Sequence, residues 1–342
     1  MVNGRCEPIM SFTIPRETFK RSTTQSRAEL HVTGGVRAYE HQNREWTWYP
    51  ALSAGAMLAL NPQPIGVIGG IALDVGLQIF GLDELNGLET QLVSRVWTPL
   101  DAGSNGKPQP VDAWNAIAHN AEVAGNHNYA ALARHIAYSM NAAGIRLRDA
   151  SDDYHSQLIA AIHDKRVSGM RFANIPMQDI HLAFHSVLSE LASARDYLAT
   201  ALARTLGAPD RIDAMNRFAD WLQKPSQANA KQDPVIAAML EAYDPKSTAP
   251  WLYELTEYRN TFLHRQPIGS QAGARFLQYN EVEHRGIVFP KIEMQLGEGD
   301  NSRPPIDALT RFIELYRAMT RLTKLASMQA PYPTEPPNLI VR

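Results

Sequence analysis

The chain has 342 residues, a length that favours two domains over a single hydrophobic core. Its 44% hydrophobic content is typical of a globular protein, and its net charge of -2 excludes a broad surface that coats nucleic acid, so any RNA contact must be local. The single cysteine, Cys6, excludes an internal disulfide framework and a cysteine-based zinc site. We expect a cytoplasmic protein, because low cysteine usage suits that compartment and the N-terminus shows no secretory signal.

The first half of the sequence predicts a mostly helical domain over residues 1–168. Short strands are predicted around Ile9–Ile14 and Glu29–Val32. Helices are predicted at 84–97, 111–124, 128–143 and 150–165. The connection Arg166–Pro176, which contains Gly169, predicts the domain boundary. Nothing in this half indicates its role.

Residues 51–82 contain two apolar stretches separated by Asn61-Pro62-Gln63-Pro64. Neither stretch reaches the roughly 18–20 uninterrupted apolar residues that a spanning helix needs, so we expect no stable membrane insertion. The prediction is a buried helical hairpin rich in alanine and glycine. A hairpin that docks on a membrane is the alternative.

The second half predicts a mainly α domain over residues 169–330, followed by an irregular tail at 331–342. Apolar residues at helical spacing predict one long helix over 176–206. Further helices are predicted around 211–223, 234–243 and 250–264, and a last helix begins at Pro304-Pro305. Between these last two helices, Arg275–Tyr279 and Ile287–Gln295 predict the arms of a small β-hairpin. The predicted fold is therefore mainly α, a helical bundle with one hairpin behind a separate helical domain.

Arg259, Asn260 and His264 lie at the end of the predicted helix 250–264. On an ideal helix, residues five apart differ by a rise of about 7.5 Å and a turn of about 140°, so Arg259 and His264 converge only where the helix ends. Pro267 predicts such an end. A histidine can move a proton at a ribose 2′-hydroxyl or a leaving oxygen, and an arginine can bind the phosphate between them. The alternative is that Arg259 pairs with a nearby glutamate and His264 only ends a helix.

The motif and the order of the helices resemble the HEPN superfamily over roughly residues 170–328. That family is an α-helical bundle whose diagnostic motif is Arg, four to six residues, then His, often with a polar residue after the Arg; Arg259, Asn260 and His264 match it. The resemblance implies a metal-independent endoribonuclease that works as a homodimer, often as a toxin or a phage-defence effector with a protein antitoxin or regulator. It implies no cofactor and no metal. Because other family members do not cleave RNA, a non-catalytic interaction or nucleotide-binding module is the alternative.

Two further groups of residues are candidates for supporting roles. His181, His185 and Glu190 lie on the long predicted helix beside the motif, but a pair of histidines without a third ligand predicts no metal site. The last helix is the most basic stretch of the second half and predicts an RNA-facing edge formed by Arg311, Arg317 and Arg321.

Overall fold

A computed structural model describes residues 27–41, 43–86, 94–100, 109–262, 277–296 and 306–335. The chain divides into two compact units, each built from three stretches of sequence. The first comprises Met1–Leu100, Arg148–Ile180 and Gly273–Thr310; the second comprises Asp101–Leu147, His181–Ala272 and Arg311–Arg342. The domain boundary predicted at 168/169 falls inside the middle stretch of the first unit.

The described strands all belong to the first unit. In chain order they are β1 (Arg27–Val32), β2 (Arg37–Glu40), β3 (Trp46–Tyr49), β4 (Ala51–Ser53), β5 (Ala56–Leu58), β6 (Ile79–Asn86), β7 (Ser94–Pro99), β8 (Arg171–Phe172), β9 (Leu277–His284) and β10 (Ile287–Met294). They form two antiparallel five-stranded sheets. Sheet A has the order β3-β2-β1-β6-β7, and sheet B has the order β5-β4-β10-β9-β8.

The described α-helices are α1 (Ile65–Asp74), α2 (Pro110–Val123), α3 (His127–His163), α4 (Met177–Thr205), α5 (Met215–Leu222), α6 (Pro234–Tyr243), α7 (Trp251–Asn260) and α8 (Ala308–Ser327). The long helix predicted over 176–206 is confirmed as α4. The Asn174 side chain accepts a hydrogen bond from the Met177 backbone N–H at 3.2 Å and so caps its first turn. The helices predicted at 128–143 and 150–165 are one continuous helix, α3, which the charged residues between them do not interrupt.

The prediction of a mainly α fold with one small hairpin is wrong, because the first unit contains two five-stranded sheets. The predicted helix at 84–97 is also wrong: residues 84–86 end β6 and residues 94–97 begin β7. The predicted hairpin exists as β9 and β10, but it is extended on both sides into sheet B. Seven of the ten described strands have six residues or fewer, too few to show a clear period, and pairing with distant strands stabilises them.

The buried helical hairpin predicted for 51–82 is wrong as well. This segment forms β4, β5, α1 and the start of β6. Several apolar side chains of α1 face solvent; Leu73 is 76% exposed and Ile65 is 53% exposed. Within the described residues, no helix is both long enough and apolar enough to cross a membrane.

Sheet A separates apolar from charged side chains by simple alternation. On β1, Leu30 and Val32 are buried on one face, while Glu29 and His31 point to the other. Helix α3 covers the charged face. Arg37 on β2 donates hydrogen bonds to Ser151 and Asp152 on that helix. The sequence of β1 alone predicts the alternation, but not that its polar face is also buried.

The turn between β1 and β2 lies against α3. Gly35 has a φ of +86°, and a Cβ atom built on it would lie 2.6 Å from the carbonyl oxygen of Tyr154. The carbonyl oxygen of Gly35 accepts a hydrogen bond from the His155 ring at 2.8 Å. Only glycine meets both demands, a left-handed backbone and close contact with a helix.

We expect Gly35→Ala to lower the free energy of unfolding by roughly 2–3 kcal/mol, from backbone strain plus the clash with Tyr154. Gly55→Ala is the matched control, since Gly55 also has a positive φ, +77°, but nothing lies within 4 Å of its added Cβ. Chemical denaturation of both variants measures the difference. Equal losses at the two positions would show that the contact with α3 contributes nothing.

Candidate functional site

The motif arginine lies on the last turn of α7, in the second unit. Its Nη1 donates to the side-chain oxygen of the adjacent Asn260 at 3.2 Å. Within the described part of the chain, Arg259 forms no ion pair with a carboxylate. Glu254, one of the glutamates that could have neutralised it, instead pairs with Arg311. Arg259 is half-buried, and its guanidinium carries five N–H donors, one of which bonds Asn260.

The helix departs from α geometry directly after Asn260. Thr261 and Phe262 adopt π-type hydrogen bonding, in which i→i+5 bonds replace i→i+4 bonds. Such a widened turn occurs frequently at functional sites. The other motif residue, His264, lies outside the described residues.

An aromatic column holds the end of α7 in place. Phe184 on α4 packs edge-on against Phe312 on α8, with ring centroids 4.8 Å apart. Phe312 in turn lies 6.0 Å from Tyr258, and Tyr258 stacks on Phe262 at 5.8 Å. Arg259 follows Tyr258 directly, so this column fixes the backbone that carries the motif arginine.

A buried arginine anchors α7 one turn earlier. Arg195 on α4 donates to the Thr256 hydroxyl at 2.6 Å and pairs with Asp196 at 2.9 Å. Asp196 also accepts from the Met215 backbone N–H at the start of α5. The long helix therefore positions both α5 and α7 through two adjacent side chains.

The supporting histidines lie on the same helix as this anchor. His181 is buried; burial, and next the neighbouring His185, lower its pKa to about 4. Burial also lowers the pKa of the half-buried His185. Both rings are therefore neutral near pH 7, and Glu190 on the same helix is half-buried. Arg195, on the same helix, links α4 to the motif helix through Thr256.

The three arginines of α8 are in different environments. Arg311 bridges Glu254 on α7 and Glu314 on its own helix, so two carboxylates neutralise its charge inside the second unit. Arg317 is half-buried and Arg321 is exposed. Arg311 thus joins α7 to α8, and the RNA-facing edge stays a prediction from the sequence.

The first unit contains a charged cluster that the sequence did not predict. Arg95 on β7 pairs with Asp83 on β6 and, at 2.8 Å, with Asp152 on α3. Arg37 donates to the other oxygen of Asp152 at 3.0 Å. His31 on β1 lies between the two carboxylates, its Nε2 3.5 Å from Asp83 and 4.0 Å from Asp152. The alternation of polar residues in β1, β6 and β7 could have indicated one polar face, but the pairing order that joins them is not readable from sequence.

Burial and the charges of this cluster determine its protonation. Burial, and next the charge of Arg37, lower the pKa of His31 to about 3. Burial alone would raise the pKa of Asp83, but the neighbouring His31 and Arg95 lower it to about 2. Neither nitrogen of His31 has a hydrogen-bond partner among the described residues. The cluster at pH 7 therefore comprises two arginines, two carboxylates and a neutral histidine.

In the part of the chain that the structure describes, no group of three or more His, Cys, Asp or Glu side chains is arranged so that it could hold a metal ion. No protein-family model, no curated protein and no solved structure matches this chain. The class of protein therefore rests on its own residues and on the resemblance of its motif.

The low pKa of His31 predicts a pH dependence of stability. Between about pH 6.5 and pH 3 the unfolded chain binds a proton at His31 that the folded chain does not, so the free energy of unfolding falls as the pH falls. His31→Phe removes this proton and two unpartnered buried nitrogens. We expect the slope of stability against pH to decrease by up to about 1.4 kcal/mol per pH unit in this range.

Urea unfolding of the parent and of His31→Phe at several pH values measures this slope. His163→Phe is the matched control, because His163 is exposed at the end of α3 and its ring meets water in both states. An unchanged slope in His31→Phe would contradict the assigned protonation of His31.

Proposed function

We propose that the second unit is a metal-independent endoribonuclease of HEPN type. In this proposal Arg259 binds the scissile phosphate, His264 is the acid/base and Asn260 supports Arg259. The observation that carries the proposal is the state of Arg259: no described carboxylate of its own chain neutralises it, although two glutamates lie on the same helix. A planar guanidinium without a carboxylate partner can bind a phosphate through two parallel N–H bonds.

The chemistry needs only the groups named. A ribose 2′-hydroxyl attacks the adjacent phosphorus, its proton passes to an imidazole, and the 5′-oxygen leaves with a proton from an imidazolium. The guanidinium of Arg259 stabilises the negative charge that grows on the phosphate oxygens. Because one histidine cannot act as base and acid in a single turnover step, we propose that two motifs meet across a homodimer.

The remaining parts of the proposal concern its setting. Arg317 and Arg321 would contact the RNA backbone outside the reacting phosphate. Arg311 would act indirectly, because its ion pairs hold α7 against α8. We propose a cytoplasmic toxin or phage-defence effector, with a protein antitoxin or regulator as partner and the first unit as the part that recognises a trigger.

Arg259→Ala and His264→Ala should each reduce RNA cleavage by at least about a hundredfold, since each removes a group that acts on the transition state. Cleavage of a labelled RNA by purified protein in the presence of EDTA measures the loss. Arg217→Ala and His163→Ala are the matched controls, because both side chains are exposed and lie on other helices.

Full activity in both motif variants would refute catalysis by these residues. RNA binding without cleavage in the parent protein would instead favour the non-catalytic module. Circular dichroism and thermal unfolding of each variant show whether a loss of activity reflects loss of the fold.

If the active site is shared between the two chains of a dimer, an inactive chain should inhibit the parent chain with which it pairs. When parent and the Arg259→Ala/His264→Ala double variant are co-expressed in equal amounts, only about a quarter of random dimers have two intact motifs, and activity should fall accordingly. Independent sites would retain about half of the activity. Differently tagged chains purified as mixed and pure dimers give the measurement directly.

A further inference from the structure

A groove of about 510 Å³ lies between α2 and α3 in the second unit. Small apolar side chains contribute to its lining, among them Val111 from α2 and Ala131 and Ala137 from α3. Its volume is within the range of sites that hold small organic groups, roughly 300–1,000 Å³. The proposed catalytic motif on α7 does not contribute to its lining.

One rim of the groove is aromatic. Tyr138 on α3 lines it and is 71% exposed, which is unusual for a ring of this size. His135, one turn earlier, also lines the groove and packs against Tyr197 on α4 at 4.8 Å between ring centroids. The contact with Tyr197 fixes His135, whereas the face of Tyr138 stays open to a planar ligand.

The polar groups of the groove are amides and one cation. Asn115 on α2 and Asn141 on α3 each present a donor and an acceptor. Arg134 uses Nη2 to pair with Glu122 at 3.0 Å and remains half exposed, with its other nitrogens unpaired among the described residues. No carboxylate is among the described residues that line the groove.

We infer that this groove binds one nucleotide of a single-stranded RNA. Tyr138 stacks on the base, Asn115 and Asn141 bond its edge, and Arg134 contacts the adjoining phosphate; aromatic stacking and amide contacts to base edges are how proteins recognise unpaired RNA bases. An asparagine amide matches the adjacent donor and acceptor of adenine, so adenine is the preferred base. The inference rests on the proposed function, to which it adds a substrate contact away from the cleaved phosphate.

Binding of a 2′-O-methyl octa-adenylate to the full chain tests this inference separately from catalysis, because the methylated RNA lacks the attacking hydroxyl. Tyr138→Ala should weaken binding by about 5-fold to 150-fold, the usual effect of removing one stacked base contact. Tyr138→Phe keeps the ring and should bind like the parent. Val123→Ala, at an exposed apolar position on α2 outside the groove, is the second control and should also bind like the parent.

Ultraviolet cross-linking of the same RNA, followed by mass spectrometry, should place the linked base at Tyr138. Unchanged affinity in Tyr138→Ala, equal loss in Tyr138→Phe, or cross-links only outside the groove would overturn the inference. Competition by AMP at the same concentration as the RNA would also overturn it, in favour of a free nucleotide. Binding at Tyr138 by a protein that cleaves no RNA would refute the proposed function and leave this inference standing.

Discussion

The guanidinium of Arg37 is almost completely buried in the first unit, and its charge must be neutralised there. Burial lowers the pKa of Arg37, and the carboxylate of Asp152 opposes that effect. Because Asp152 lies on α3 and Arg37 on β2, this pair joins the helix to sheet A. Without Asp152, the buried guanidinium would keep hydrogen bonds to the Ser151 hydroxyl and the Val36 carbonyl oxygen, neither of which carries a charge. Asp152 also pairs with Arg95 on β7, so one carboxylate joins α3 to both β2 and β7.

In the second unit, too, arginine side chains join neighbouring helices. Arg195 joins α4 to α7 through Thr256, and Arg311 joins α8 to α7 through Glu254. Both arginines have partners, and the aromatic column from Phe184 to Phe262 fills the space between the three helices. Arg259 lies on the same short helix without a carboxylate partner among the described residues. Arg195 and Arg311 both pair with carboxylates, and this difference sets Arg259 apart from them.

Local patterns account for the parts that could be predicted. The apolar stripe of α4, the alternation of β1 and the hairpin at Arg285-Gly286 were all readable, because helix and strand periods are properties of neighbouring residues. The prediction of a helical hairpin for 51–82 was wrong because alanine and glycine indicate close packing but do not distinguish a helix from a strand. The cluster of His31, Asp83 and Asp152 could not be predicted, since its members come from two strands and a helix far apart in sequence.

The sequence by itself determined the helices of the second unit and the Arg259-Asn260 pair at a helix end. The tertiary structure alone decided that Glu254 neutralises Arg311, whereas no carboxylate of the described residues pairs with Arg259, and that the first unit is built on two sheets. The reason is physical. Whether an arginine's charge is neutralised depends on which carboxylates lie within a few ångströms of it. A short strand is stable only when it is paired with neighbouring strands. Neither condition is a property of a segment on its own.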